Sequence, residues 1–371
     1  MSNEIPRRKL LRTGAAATAG FGVVGTAGAS ENGTVEVEGQ IPCVDLTGVE
    51  DRTTTISSVS EPVPESATGI RPGSQMIITI EDAGTFGCSA NFVWEDTSTV
   101  IGDGDEVDGP ERYPLYIGAA GHCFLAGGKN ATENAGREGE EDDDLQPADR
   151  VSEVRLCKDC TFGGATGLSV IDGETYELGD VVYARQNLPD GTQVGHDFGL
   201  VRIPENLRPA VDPSIPQFGG PVGVEDGAVP QGQPVCQFGA GVGNGEAFAT
   251  QATRGVSEGE IVTEDRDGDD VTDAWYAGIR ASPGDSGSLL AEYGTARATD
   301  AAGVLTHLTT IGVAGTTVTR CINMPKVDGT GVGDDDGGVV LAPDDGTDEM
   351  QDGGDTTADL RVVRGDGDVT P

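Results

Sequence analysis

Met76-Ile77-Ile78-Thr79-Ile80, then Ser89-Ala90-Asn91-Phe92-Val93-Trp94 a short way on, set the character of this chain. Both are short runs rich in β-branched and aromatic residues, as strands are. Working outward, similar runs recur at Tyr113–Ile117, Val151–Leu156, Tyr176–Tyr183, Phe198–Ile203, Gly255–Val262, Trp275–Ile279, Ser288–Leu290, Gly303–Leu308 and Thr316–Ile322. Gly, Pro, Asp and Asn clusters separate them. Beyond the N-terminal region no stretch of a dozen residues carries a helical period. Many short strands with Gly-rich turns predict an all-β sandwich or barrel.

The flanks read differently. Arg7-Arg8-Lys9-Leu10-Leu11-Arg12 is a twin-arginine pattern, followed by a small-residue apolar run and Ala27-Gly28-Ala29 as a cleavage site. Residues 1–29 are therefore expected to be a signal peptide for export, with secretion as the destination. The run is too short and too rich in Ala and Gly for a membrane anchor, so none is expected after cleavage. Residues 30–69 are polar and read as a pro-segment or N-terminal extension. The insertion at 127–149 holds Glu138–Asp144, a solvated acidic loop. Residues 328–371 are Gly- and Asp-rich and are expected to form an acidic disordered tail.

Over its 371 residues the chain has a formal net charge of −40. Such a charge repels nucleic acid and anionic membranes and excludes both as partners. It suits a halophilic setting, where salt screens self-repulsion over a few ångströms. An acidic disordered protein is the competing reading, which the Val- and Ile-rich middle opposes.

Three histidines make the search for a general base short. His122 lies in Ala119-Ala120-Gly121-His122-Cys123, directly after an apolar run. Pro283-Gly284-Asp285-Ser286-Gly287-Ser288 sets a serine in a tight turn whose small neighbours let the N–H groups of Gly284 and Ser286 converge on one point, as an oxyanion requires. Asp197 heads the apolar run at Phe198, where a buried carboxylate holds an imidazole tautomer. The order His122, Asp197, Ser286 matches one arrangement of the serine triad and not that of the α/β-hydrolases. His196, beside Asp197, is read as a loop residue.

With these residues in view, 70–327 resembles the chymotrypsin-like serine peptidases, especially their streptogrisin-like bacterial branch. Gly87-Cys88-Ser89-Ala90-Asn91-Phe92-Val93 is similar to that branch's first core strand, Asp197–Val201 to its Asp strand, Val235–Gly239 to the start of its second barrel, and Gly303–Leu308 to the strand beside its specificity pocket. The resemblance implies two antiparallel Greek-key β-barrels, about 70–205 and about 215–327, with the active site in the cleft between them. It implies a Cys88–Cys123 disulfide, acyl transfer without a cofactor or metal, peptide or protein substrates, and a monomer. The twin-arginine signal on so acidic a chain resembles haloarchaeal secreted proteins. Ser288 stands where the family usually has a second Gly, and Thr306-His307-Leu308 where it usually has Ser. His307 either confers a preference for acidic residues before the scissile bond, as a histidine does in glutamate-specific members, or is a packing and hydrogen-bonding residue.

Seven cysteines leave at least one unpaired within the chain, or paired in a precursor that is later trimmed. Cys236 has Cys43 or Cys321 as its candidate partner. Cys157-Lys158-Asp159-Cys160 reads as a small-loop disulfide in preference to half a zinc site. Asp265–Asp273 presents alternating carboxylates, but Tyr276 stands where a calcium loop needs Glu; it reads as a solvated loop. Two readings compete with the enzyme: a catalytically silent member acting as a binding module, and a salt-adapted surface protein.

Overall fold

The computed structural model describes residues 37–59, 69–98, 101, 112–125, 150–163, 170–185, 194–195, 197–241, 252–264, 270–294, 298–328 and 359–365. His196, the acidic insertion, Asp265–Asp269 and the signal region lie outside them. The described residues are mainly strand.

Three strands come first: β1 (Val37–Gln40), β2 (Val44–Asp45) and β3 (Glu50–Ile56). The first half of the body follows with β4 (Gln75–Ile80), β5 (Gly84–Ser89), β6 (Val93–Asp96), β7 (Leu115–Ala119), β8 (Val151–Cys157), β9 (Thr161–Gly163), β10 (Val170–Glu177), β11 (Val181–Arg185) and β12 (Phe198–Ile203). The second half holds β13 (Gly223–Val224), β14 (Pro234–Phe238), β15 (Ala252–Glu264), β16 (Asp270–Ala277), β17 (Leu289–Tyr293), β18 (Ala298–Thr309) and β19 (Gly312–Thr317). Helix α1 (Val318–Asp328) and strand β20 (Leu360–Val362) end the described chain.

The all-β, two-barrel architecture expected from the sequence is present. In the second half the antiparallel ladder runs β14-β15-β16-β19-β18-β17 and returns to β14, closing a six-stranded barrel. The first half is a half-barrel of two facing sheets, β5-β4-β8-β10 and β11-β12-β7-β6. The two-residue side-chain period explains the layering. Met76, Ile78 and Ile80 of β4 enter the core between the two sheets, while Ile77 points the other way, onto Leu46 and Ile171. Val235, Leu290 and Leu305 likewise fill one side of the second barrel, whereas Cys236, Leu289 and Val304 join Phe92, Trp94 and Phe198 from the first half. That shared cluster joins the halves.

Four departures from the sequence expectations have local causes. The run Ser89–Trp94 is broken at 90–92, where the Asn91 side chain accepts from the Phe92 N–H and Trp94 Nε1, and the chain crosses between sheets. The run Tyr176–Tyr183 is broken at Leu178-Gly179-Asp180, where Leu178 N–H bonds to Val154 of one sheet and Gly179 N–H to Arg202 of the other. Thr316–Ile322 is not one strand: β19 stops at Thr317, and Val318, Cys321 and Met324 are buried as one face of α1. Finally, the disordered tail needs correcting near its end. Leu360 and Val362 are buried as β20 pairs with β6, and Arg361 bonds Glu95 at 2.6 Å.

The N-terminal extension is woven in as well. Antiparallel pairing joins β1 to β18 and β2 to β5, while β3 lies parallel to β10.

Candidate active site

His122 sits in a 3-10 turn, Gly121–Cys123, two residues past the end of β7. A side chain on Gly121 would collide with the carbonyl of Arg185, so only glycine lets the chain turn there. The His122 backbone N–H donates to Asp197 Oδ1 at 3.0 Å, and its ring Nδ1 lies 2.6 Å from Asp197 Oδ2. A carboxylate only accepts, so Nδ1 carries a proton and Nε2 is left to accept. Ser286 Oγ lies 2.6 Å from Nε2, placed to donate to it.

Asp197 is wholly buried just before β12. Its backbone is clamped by the second barrel: its N–H donates to Thr316 Oγ1 at 3.1 Å, and that hydroxyl donates to Asp197 O at 3.2 Å. Burial pushes its carboxyl upward, but the charge of His122, the ring hydrogen bond, the charge of His307 and, least, the His122 backbone hydrogen bond together outweigh it. The net effect holds Asp197 below the usual carboxylate value.

The Ser286 turn has left-handed backbone at Gly284 (φ +92°) and Gly287 (φ +85°). The turn is tied at both ends. Asp285, fully buried, accepts from Gly241 N–H at 2.8 Å and Ser282 N–H at 2.9 Å. Ser89, at the end of β5, gives its N–H to Ser286 O and its hydroxyl to Gly284 O, both at 2.8 Å. The Gly284 N–H donates to Pro42 O at 2.9 Å.

Three elements from two halves thus converge. His122 and Asp197 come from the half-barrel and Ser286 from the closed barrel, an arrangement that fits a serine triad.

Known structures overlap the chain in part. A thermostable serine protease from an extremophilic microorganism is 13% identical over 66% of this chain and 91% of its own, with a TM-score of 0.37. Protease A of Thermobifida fusca is 17% identical over 68% and 94%, with a TM-score of 0.35. A glutamic acid specific serine protease is 15% identical over 68% and 96%, with a TM-score of 0.34. No family model and no curated protein matches the sequence. At such low TM-scores the function has to be argued from the site itself.

Cys88 and Cys123 are brought together as expected, with Cα atoms 6.5 Å apart. The sequence missed the third sulfur: Cys43 also lies beside Cys88, at a Cα separation of 5.3 Å. That placement removes Cys43 as a partner for Cys236. Cys236 and Cys321 are both buried, in one apolar cluster. Burial pushes the Cys236 thiol up to about 12. Cys157 and Cys160 are bridged. His307 is wholly buried, with Nδ1 2.7 Å from Thr306 Oγ1.

Among the described residues, metal-type donors gather in two places: Cys43 with His122 and Cys123, and Glu225 with Glu292 and Asp300. The first group is already engaged with the Cys88 sulfur and the triad hydrogen bonds. Thr316, Gln40, Ile41 and Pro42 also touch the site, through bonds of their backbone or side chains. Only Thr316 lay in a run singled out from sequence, and nothing in that run marked its hydroxyl.

Proposed function

We propose that the chain is a secreted serine endopeptidase of the chymotrypsin-like class, with His122, Asp197 and Ser286 as its catalytic triad. The observation that carries the reading is the unbroken pair of 2.6 Å contacts from Asp197 Oδ2 through the His122 ring to Ser286 Oγ. A turn, a cap or a structural histidine explains each residue singly, but none of these explains their alignment.

In this reading Ser286 Oγ attacks a peptide carbonyl while His122 Nε2 takes its proton. The Gly284 and Ser286 amides receive the oxyanion, an interaction whose loss typically lowers the rate by roughly 10²–10³. The resulting imidazolium is stabilised by Asp197, whose depressed pKa keeps it ionised throughout. His122 then protonates the leaving amine, and water repeats the sequence on the acyl-enzyme. None of these steps requires a cofactor. His307 is assigned the packing and hydrogen-bonding role, because its ring is buried against Thr306. The twin-arginine segment supports export, and the charge of −40 supports work at high salt.

Hydrolysis of a casein-type substrate in concentrated salt tests the reading. Ser286→Ala and His122→Ala are each expected to abolish it to a similar extent, because triad members act as a unit. Undiminished hydrolysis by the folded Ser286→Ala form would sink the proposal.

A further inference from the structure

We infer that residues 39–45 form a strap across the active-site cleft, and that Cys43 latches it there through disulfide exchange with Cys88 and Cys123. The inference gives the proposed peptidase its regulation and rests on that reading.

The strap is extended and bonded along both walls of the cleft. Gly39 and Gln40 face Leu308 and His307 in antiparallel register. The Ile41 N–H donates to Thr306 O at 2.8 Å, and the Ile41 side chain is wholly buried with the apolar cluster of the closed barrel. The Ile41 carbonyl lies 3.1 Å from His122 Nε2, where it can accept only while that nitrogen carries a proton, and so stands beside the base in the space a substrate would need. Pro42 O takes the Gly284 N–H, and Gln40 Nε2 donates to Asp197 Oδ2 at 3.3 Å. Beyond Cys43, Val44 faces Gly87 of β5. Pairing of an extended segment on a sheet edge is how a peptide is held by strand addition. Here the chain's own segment takes the edge of β18, the oxyanion donor and the base together, so a substrate enters only when it leaves.

The three sulfurs supply a way to leave. Cys43 and Cys88 have Cα atoms 5.3 Å apart, Cys88 and Cys123 6.5 Å, both within the range of roughly 4.4–6.8 Å that disulfides span. Cys43 Sγ and Cys123 Sγ are 3.5 Å apart. Cys88 contacts both, yet one sulfur makes one disulfide. Two covalent forms follow. In the latched form Cys43–Cys88 is the disulfide and Cys123 the thiol. In the other, Cys88–Cys123 is the disulfide and Cys43 the thiol. To pass between them, the Cys123 thiolate attacks Cys88 Sγ, the Cys88–Cys123 bond forms and the Cys43–Cys88 bond breaks. Cys43 leaves as a thiolate and takes up a proton equivalent to the one Cys123 released. One disulfide is present before and after, so the step needs neither oxidant nor reductant. A latched strap is fixed at Cys43 itself, beside the site, whereas an unlatched one is held by its noncovalent bonds and a looser tether through the chain beyond it.

The test uses the full chain in high salt and two readouts. Peptide mapping without reduction, on acid-quenched Ser286→Ala protein, is independent of catalysis and is expected to find both Cys43–Cys88 and Cys88–Cys123. A fluorophosphonate is expected to label Ser286 about a hundredfold faster in Cys43→Ser than in the unsubstituted chain, the low end of what tethering supplies. Ile41→Asp, which leaves every cysteine in place, is expected to speed labelling too, because it puts a charge at a buried strap position. Mapping that finds only Cys88–Cys123 would overturn the latch, and so would equal labelling rates in the unsubstituted, Cys43→Ser and Ile41→Asp chains. Absence of labelling from every folded form would instead overturn the peptidase reading, with the mapping still deciding the exchange.

Discussion

Asp197→Asn probes the site at its most demanding point. The carboxylate accepts on both oxygens, Oδ1 from the His122 backbone N–H at 3.0 Å and Oδ2 from ring Nδ1 at 2.6 Å. An amide has one accepting oxygen and one donating NH2. The backbone N–H cannot change its role, so the amide oxygen stays with it and the NH2 faces Nδ1. Nδ1 must then accept, and the ring proton moves to Nε2, the atom 2.6 Å from Ser286 Oγ. The base loses the lone pair it needs. Relief by rotation is closed off, because the residue is wholly buried and its backbone is clamped by Thr316. The expected loss is about 10⁴ in kcat, or about 5.4 kcal/mol at about 1.36 kcal/mol per decade. The near-isosteric swap should leave the fold intact. The comparison is made by peptide hydrolysis at high salt in a Cys43→Ser background, so that the strap does not mask it, with near-UV circular dichroism as the check on folding. Activity within tenfold of the Asp form, in folded protein, would refute this chain of reasoning.

The remaining predictions concern acidity, sulfur and backbone. The Asp197 carboxyl is lowered in the folded chain, so its contribution to stability is present above about pH 4 and is lost as pH falls through the folded value. Urea midpoints measured down to pH 2.5 should show a steeper acid loss than in Asp197→Asn, and equal slopes would contradict the assignment. Cys236, with its thiol pushed up to about 12, should resist iodoacetamide at pH 8.5 until the chain unfolds. Because its folded value is raised from 9.0, its contribution is complete below pH 9 and is lost as pH rises toward 12; rapid native alkylation would refute this. Gly121→Ala should lower hydrolysis about 100-fold by displacing His122 from Ser286, since its new methyl group meets the Arg185 carbonyl. Full activity would show that the turn has slack.

Much of this site was legible in the sequence because its chemistry is local in the chain. Gly284 and Gly287 flank a serine that needs left-handed backbone on both sides, and that requirement is written as glycine. His122 follows an apolar run that becomes β7, and Asp197 precedes one that becomes β12. What escaped was set by contacts between distant segments. Polar residues such as Gln40 and Thr316 gave no sign that they would meet Asp197, 157 and 119 residues away in the chain. The extension looked loose because β3 is mostly exposed and draws its order from pairing with β10. The start of helix α1 reads as strand in the sequence because Val318, Cys321 and Met324 form one helical face too brief to register as a period. The tail's composition hid β20 in the same way, since three residues have no pattern until β6 supplies the partner.

The most direct test of the nucleophile is to trap the acyl-enzyme. Folded Cys43→Ser chain is mixed with an activated ester at high salt, quenched in acid, and digested for mass spectrometry. A single acyl adduct is expected on the peptide bearing Ser286, and it should vanish in His122→Ala. A folded chain that acquires no adduct, or acquires it on another residue, or acquires it equally without His122, would contradict the triad.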